Sequence, residues 1–247
     1  MLMQVLTVED LLADAFLLGA RTYQNSSAAG LQWAHAEAAS RLAQVVRKQR
    51  DFDYAIALSG EALAYFSAAG MHDMVANEYA MRGWAHHDSP NGNAQQAERD
   101  FVASLDAAGR AGNRAVMAYA NTGLCESRVR AGRLAEAATP CNEAYRTLAD
   151  SGDVGEFAAG VALAYFLLEN GDARRAVGTL APLLSEMASQ QDSASHVLAL
   201  ETMARAHDRP ATPASAALRR PPAPAAESCP RPHPSPPWPP PAPSACA

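Results

Sequence analysis

The sequence is poor in the residues that build sheets, disulfide frameworks and zinc sites. Aromatic residues make up 6% of its 247 residues, and its four cysteines show no paired spacing. Few aromatics beside abundant alanine and leucine favour closely packed helices over a sheet core. Four scattered cysteines in a chain of this length argue against a disulfide framework, and no CxxC motif indicates zinc.

Positive charge and long apolar runs are scarce too. The formal net charge is −6; the tail from Pro210 carries +2, so residues 1–209 carry −8. Binding to a phosphate backbone depends on dense Lys and Arg, so we expect no direct nucleic-acid partner. No apolar run reaches the eighteen residues of a membrane span, and no basic residue precedes Arg21, unlike a secretory signal. We therefore expect a cytoplasmic protein without a membrane partner.

An internal repeat of about forty residues is the strongest signal in the sequence. Four segments each place an alanine five residues after a short turn, inside an amphipathic run. These anchor alanines are Ala55, Ala97, Ala137 and Ala176. A second marker keeps the same interval: Asp73, Asn113, Asp153 and Asp192. Two markers that share one period indicate a stack of similar helical units.

Small residues occupy eleven of the twelve sites at three fixed positions in the four units, Leu183 being the exception. Twelve residues before the anchor stand Ala43, Ala85, Cys125 and Ala164, and seven residues after it stand Ala62, Ser104, Ala144 and Leu183. A large apolar residue precedes the first small site in each unit: Leu42, Trp84, Leu124 and Leu163. Small side chains let two helices cross at close range, so these positions predict the helix contacts.

These offsets resemble those of the tetratricopeptide repeat, which has small residues at the helix crossing and a Gly-Asp or Gly-Arg turn between its helices. Gly132-Arg133 and Gly171-Asp172 match that turn well, whereas Arg50-Asp51 and Gly92-Asn93 match it partly. The period exceeds the usual thirty-four residues and looks like the longer variant of bacterial signalling proteins. The resemblance covers residues 31–209. A plain alanine-rich helical bundle is the alternative, but it does not require the turn and small sites to recur together.

The resemblance implies an all-α fold: a right-handed α-solenoid of antiparallel helix pairs, with about four and a half repeats and a leading helix. Residues 1–27 are expected to form the leading helix (7–23) and a linker, because Asn25-Ser26-Ser27 breaks the helix. Residues 28–209 are expected to form the repeat domain. The predicted helices of that domain are 28–48, 52–69, 74–87, 94–111, 114–130, 134–150, 154–169, 173–189 and 194–207.

A proline-rich tail follows at residues 210–247, which hold fourteen of the seventeen prolines. Such a segment cannot continue a helix and has little to bury, so we expect disorder. One interpretation is a polyproline ligand for SH3-like or WW-like domains. The other is an out-of-frame translation of a GC-rich gene, because the composition changes in the middle of a repeat. The second interpretation is favoured.

No residue pattern indicates catalysis or a cofactor. His86, His87 and Asp88 are consecutive on a helix, so their side chains diverge and do not converge on one metal ion. Cys125 and Cys141 are expected to be buried, unreactive thiols. Phosphate-loop, dinucleotide, nucleophile-elbow and zinc-protease motifs are absent from the sequence. We therefore expect neither an enzyme nor a bound metal.

The resemblance implies a groove lined by the first helix of each pair. Offsets that avoid the packing sites give eight candidate residues for binding a protein or peptide: Tyr79, Arg82, His86, Tyr119, Thr122, Glu126, Arg130 and Tyr165. Tyrosine and arginine are common anchors at interfaces. An ordinary amphipathic helix surface would give the same residue types, and both interpretations stay open.

The expected function is a scaffold or sensor module that holds a partner protein or peptide in this groove. The alternative is that the chain is the N-terminal regulatory part of a larger protein. Long-period repeats of this kind resemble the regions that precede a diguanylate cyclase domain in bacteria, and the regions found in large transcription activators. In either case the repeats themselves bind rather than catalyse.

Overall fold

The structure, a computed structural model, describes residues 12–149, 155–186 and 193–208, and all of these are helices or short turns. The chain divides into two units, residues 1–212 and 213–247, and every described residue belongs to the first. The helices are α1 Leu12–Ala28, α2 Gln32–Lys48, α3 Phe52–Ala68, α4 His72–Asp88, α5 Ala94–Ala111, α6 Arg114–Arg130, α7 Leu134–Ala149, α8 Gly155–Glu169, α9 Ala173–Glu186 and α10 Ser193–Asp208. Each helix packs against the next one along the chain. The predicted all-α class is confirmed in this part of the chain.

The helices begin and end at signals that the sequence carries. Asp51, Asn93 and Asn113 each accept a hydrogen bond from the backbone N–H three residues on, which caps α3, α5 and α6. Gly132 ends α6 with a φ of 72°, a left-handed conformation that glycine adopts without strain. Arg50 has a φ of 67° at the corresponding turn, where a side chain makes that conformation costly.

Burial confirms the predicted packing sites. All four anchor alanines are at most 1% exposed, and so are the other small residues at the predicted packing sites; the large Leu183 is 6% exposed. The large residues beside them, such as Trp84 and Leu124, are also buried. Gly123 shows how tight one approach is, because a Cβ at this position would lie 2.3 Å from the Phe101 ring. The fixed-offset pattern therefore marks where the helices meet.

The leading helix differs from its prediction. The predicted break at residues 25–27 is wrong, because α1 continues through them to Ala28, and α2 begins only at Gln32. Polar side chains are tolerated there because tertiary contacts stabilise the helix: Tyr23 donates to Glu61 of α3 across 2.7 Å, and its ring stacks on His35 of α2. The start of the predicted leading helix, at residues 7–11, and the proline-rich tail lie outside the described residues.

Cys125 and Cys141 are buried as predicted, but they are not the separate thiols that the sequence indicated. Their sulfur atoms form a disulfide that joins α6 to α7. Cys125 occupies a small packing site and Cys141 lies four residues after the anchor Ala137, so the helix crossing brings their Cα atoms within 4.8 Å. The prediction failed because sixteen residues of sequence separation do not reveal this crossing geometry.

The disulfide also bears on cellular location. Stable disulfides are rare in reducing compartments and common in oxidising ones. The expected cytoplasmic location therefore stays a prediction, and the disulfide weighs against it. Among the helices that the structure describes, none combines the length and apolarity needed to cross a membrane.

The anchor positions give a direct test of the packing. Enlarging Ala137 or Ala176 to leucine should lower the free energy of unfolding by about 1–3 kcal/mol each, because both sites are fully buried at a helix crossing. Ala135→Leu, at an exposed site on the same helix as Ala137, should have little effect. Urea unfolding followed by circular dichroism measures the free energy of unfolding of the three variants. Equal losses at Ala135 and Ala137 would contradict the assigned packing.

The disulfide gives a second test. Replacing Cys125 and Cys141 by alanine should cost about 3 kcal/mol, because a bond across a sixteen-residue separation restricts the unfolded chain. Adding dithiothreitol should lower the stability of the parent protein and leave that of the double variant unchanged. Alkylation in denaturant without reductant, followed by mass spectrometry of the peptides, should leave Cys125 and Cys141 unlabelled. Label on both of these cysteines would show that the bond is absent.

Candidate functional site

The first helices of the successive units, α2, α4, α6, α8 and α10, contact one another as well as their own partners. Because the units repeat every forty residues, equivalent positions on neighbouring first helices lie side by side. Polar side chains about forty residues apart therefore meet. Such contacts include Ser40 with Glu78, Arg47 with Asp88, His87 with Ser127, and Arg205 with Glu169. We call the surface that these five helices form the first-helix face.

Two of the predicted residues, Tyr79 and Arg82, lie together on α4. The Arg82 guanidinium donates two hydrogen bonds to the Asp100 carboxylate of α5, at 2.8 and 2.7 Å, and its Cζ is 5.4 Å from the centre of the Tyr79 ring. The bonds to Asp100 raise the pKa of Arg82. Arg82 is therefore fixed by the ion pair, with part of its surface still exposed.

Tyr119 and Thr122 on α6 are less accessible than the sequence indicated. The Tyr119 ring is half-buried and lies 5.4 Å from the ring of Trp84. Thr122 is 2% exposed, and its hydroxyl donates to the carbonyl of Ala118 in its own helix. Thr122 is thus not available to a ligand, because its offset points between helices.

Glu126 and Arg130 form the next group along α6. The Glu126 carboxylate lies 3.4 Å from Nε2 of His87 and 3.7 Å from the Arg130 guanidinium. Arg130 is 53% exposed, the most open of the predicted cations. The neighbouring His86 is half-buried, and this burial lowers its pKa. On α8, half-buried Tyr165 has the Arg205 guanidinium 5.8 Å from its ring centre.

A buried carboxyl group on α4 was not predicted. Glu78 is 0% exposed, and its Oε1 accepts hydrogen bonds from Ser40 of α2 at 2.5 Å and from Asn77 at 3.3 Å. Within the described part of the chain its Oε2 has no hydrogen-bond partner. Burial raises the pKa of Glu78 to about 7. A carboxyl group here therefore changes charge near neutral pH.

The repeat register contained a signal for this residue. Nineteen residues before their anchors, the other units have Ala36, Ala118 and Phe157, and all three are buried. Glu78 occupies the same position in the second unit. A carboxylate at a position that is otherwise apolar is unusual, because burying an unpaired charge is costly. Alignment of the four units by their anchors would therefore have singled it out.

Comparison with known proteins adds no relationship. No protein-family model matches the chain, and no curated protein matches it.

The raised pKa of Glu78 predicts a pH-dependent stability. Its value is 4.5 in an unperturbed chain and about 7 in the fold, so the folded state binds the proton more tightly. The stabilisation is complete below about pH 4.5 and is lost as the pH rises through 7, by about 3 kcal/mol in total. Glu78→Gln should remove this part of the pH dependence and keep an acceptor for Ser40 and Asn77.

Urea unfolding between pH 4.5 and 8.5 measures this effect as the difference between the parent protein and the variant. Asp106→Asn is the control, because it removes one carboxylate from an exposed ion pair on α5. That control should follow the parent profile. If Glu78→Gln also keeps the full parental dependence, Glu78 does not titrate in this range.

Proposed function

We propose that the chain is a tetratricopeptide-like interaction module that binds an extended peptide segment of a partner protein along the first-helix face. The observation that carries the proposal is the lateral contact between successive first helices, which makes one continuous surface from elements forty residues apart. A surface built from repeated helices suits a long, extended ligand, because each unit can meet one part of it.

The side chains on this face suit peptide binding. Tyr79, Tyr119 and Tyr165 are each half-buried and pack against a hydrophobic core cluster, so packing holds part of each ring. A tyrosine fixed in this way offers contact area and loses little conformational entropy on binding. Arg130 adds an exposed guanidinium that can donate to carboxylates or peptide carbonyls.

The polar contacts between units also favour binding. Arg47 donates to Asp88 across 2.6 Å, and the side chains of His87 and Ser127 lie 3.0 Å apart, so neighbouring helices are tied at several points. A surface ordered before the ligand arrives avoids much of the entropy cost of association. The right-handed solenoid is part of the same proposal, since the face depends on a regular step between units.

Peptides selected from a random display library against the full chain provide a test. Tyr79→Ala combined with Arg130→Ala should weaken binding of the selected peptides at least tenfold, or about 1.4 kcal/mol, because it removes an aromatic and a cationic anchor. Fluorescence anisotropy with labelled peptides measures the affinity. Circular dichroism and thermal unfolding show whether the variant keeps its fold.

The matched control is Tyr54→Ala combined with Arg110→Ala. These residues are exposed on α3 and α5, which are second helices, and they represent the same two residue types. This pair should change the affinity less than twofold. Loss of binding in the control pair, with retention in the first pair, would place the binding surface on the second helices and refute the proposal.

A further inference from the structure

A cavity of about 190 Å³ opens where three first helices, α2, α4 and α6, meet. The residues that line it are Ser40, Arg41, Asp73, Met74, Asn77, Asn113 and Val116. Its size restricts what it holds. Sites for drug-sized molecules measure about 300–1,000 Å³, whereas 190 Å³ corresponds to about six waters at ~30 Å³ each. The space fits one long side chain of a bound peptide.

The wall of the cavity has an apolar part and a part that offers hydrogen-bond acceptors. Met74 and Val116 are half-buried and can contact an aliphatic stem. Asp73 on α4 accepts a hydrogen bond of 2.5 Å from Asn113 of α6, which holds its carboxylate at the cavity. Two carboxylate oxygens supply more acceptor sites than one amide N–H can use, so Asp73 can accept from a ligand too.

A second carboxylate lies directly behind this wall. Ser40 and Asn77 line the cavity, and both donate to Oε1 of buried Glu78. Arg41 is the cation in the wall, but it is bonded to Glu37 at 2.9 Å. Glu37 and Arg41 act on Glu78 with opposite signs. Among the described residues neither Asp73 nor Glu78 has an ion-pair partner, so the cavity carries excess negative charge.

We propose that this cavity is a subsite for a lysine side chain of the bound peptide, with the aliphatic stem against Met74 and Val116 and the ammonium group at Asp73 in front of Glu78. This inference rests on the proposed function, since the lysine belongs to a peptide on the first-helix face. The two carboxylates offer hydrogen-bond acceptors and negative charge. An ammonium group supplies the three donors and the positive charge that complement them. A neutral or acidic side chain would leave that charge unmatched.

Binding should depend on pH in a defined direction. Above about pH 7 Glu78 is ionised, and a neighbouring cation then offsets the cost of its burial. Below that pH the carboxyl group is neutral and attracts the ammonium group less. Lysine binding is therefore coupled to release of the Glu78 proton, and its affinity rises from pH 5.5 to pH 8.

Three blocked heptapeptides of alanine test this inference with the full chain. They differ only at the central residue, which is lysine, norleucine or glutamate; norleucine keeps the stem of lysine without its charge. Binding is followed by NMR through the side-chain amide signals of Asn77 and Asn113. At pH 8 the lysine peptide should bind at least fivefold more tightly than the norleucine peptide, and the glutamate peptide should leave both signals unchanged.

Glu78→Gln should remove the gain in lysine affinity between pH 5.5 and pH 8, while Asp106→Asn, with the same change in net charge at pH 8, should keep it. Equal affinities for lysine and norleucine overturn the inference, and so does a lysine effect that leaves both amide signals unchanged. If these tests fail while library peptides still require Tyr79 and Arg130, the subsite is wrong and the proposed function stands. If the lysine peptide binds while library peptides are insensitive to the Tyr79 and Arg130 substitutions, the cavity binds lysine and the anchors assigned under the proposed function are wrong.

Discussion

Close approach of helices at small side chains is the constraint on which this structure depends. Alanines such as Ala97 and Ala137 are fully buried where two helices cross, and a larger residue there would separate the backbones. The same crossing recurs every forty residues, so every unit presents its first helix in the same way. The continuity of the first-helix face, the contacts between units and the cavity at three of its helices all follow from that recurrence.

The fold was largely readable from the sequence because its signals are local and repeated. The anchor alanines and the turns at Asp51, Asn93 and Gly132 each act within a few residues. The disulfide between Cys125 and Cys141 was missed since it depends on how two helices cross, which sequence separation does not give. The α1 boundary was missed for a related reason, because tertiary contacts outweigh the local preference of polar residues for a break.

The candidate site was only partly readable. Offsets from the anchors identified the half-buried tyrosines, but they could not reveal that Arg82 is fixed by Asp100 or that Thr122 is buried. Those outcomes depend on the small rotation between neighbouring helices, and a periodic pattern does not encode it. Glu78 illustrates the converse case, in which one residue breaks a periodic rule and so marks a place of chemical interest.

The disulfide also has a mechanical consequence. It joins the two helices of one unit, whereas the polar contacts on the first-helix face join different units. A force that stretches the chain would therefore act on two kinds of connection: hydrogen bonds and ion pairs that break and re-form easily, and one covalent bond that does not. The force would pass through the two sulfur atoms and bypass residues 126–140, so this loop would stay closed while the contacts between units break.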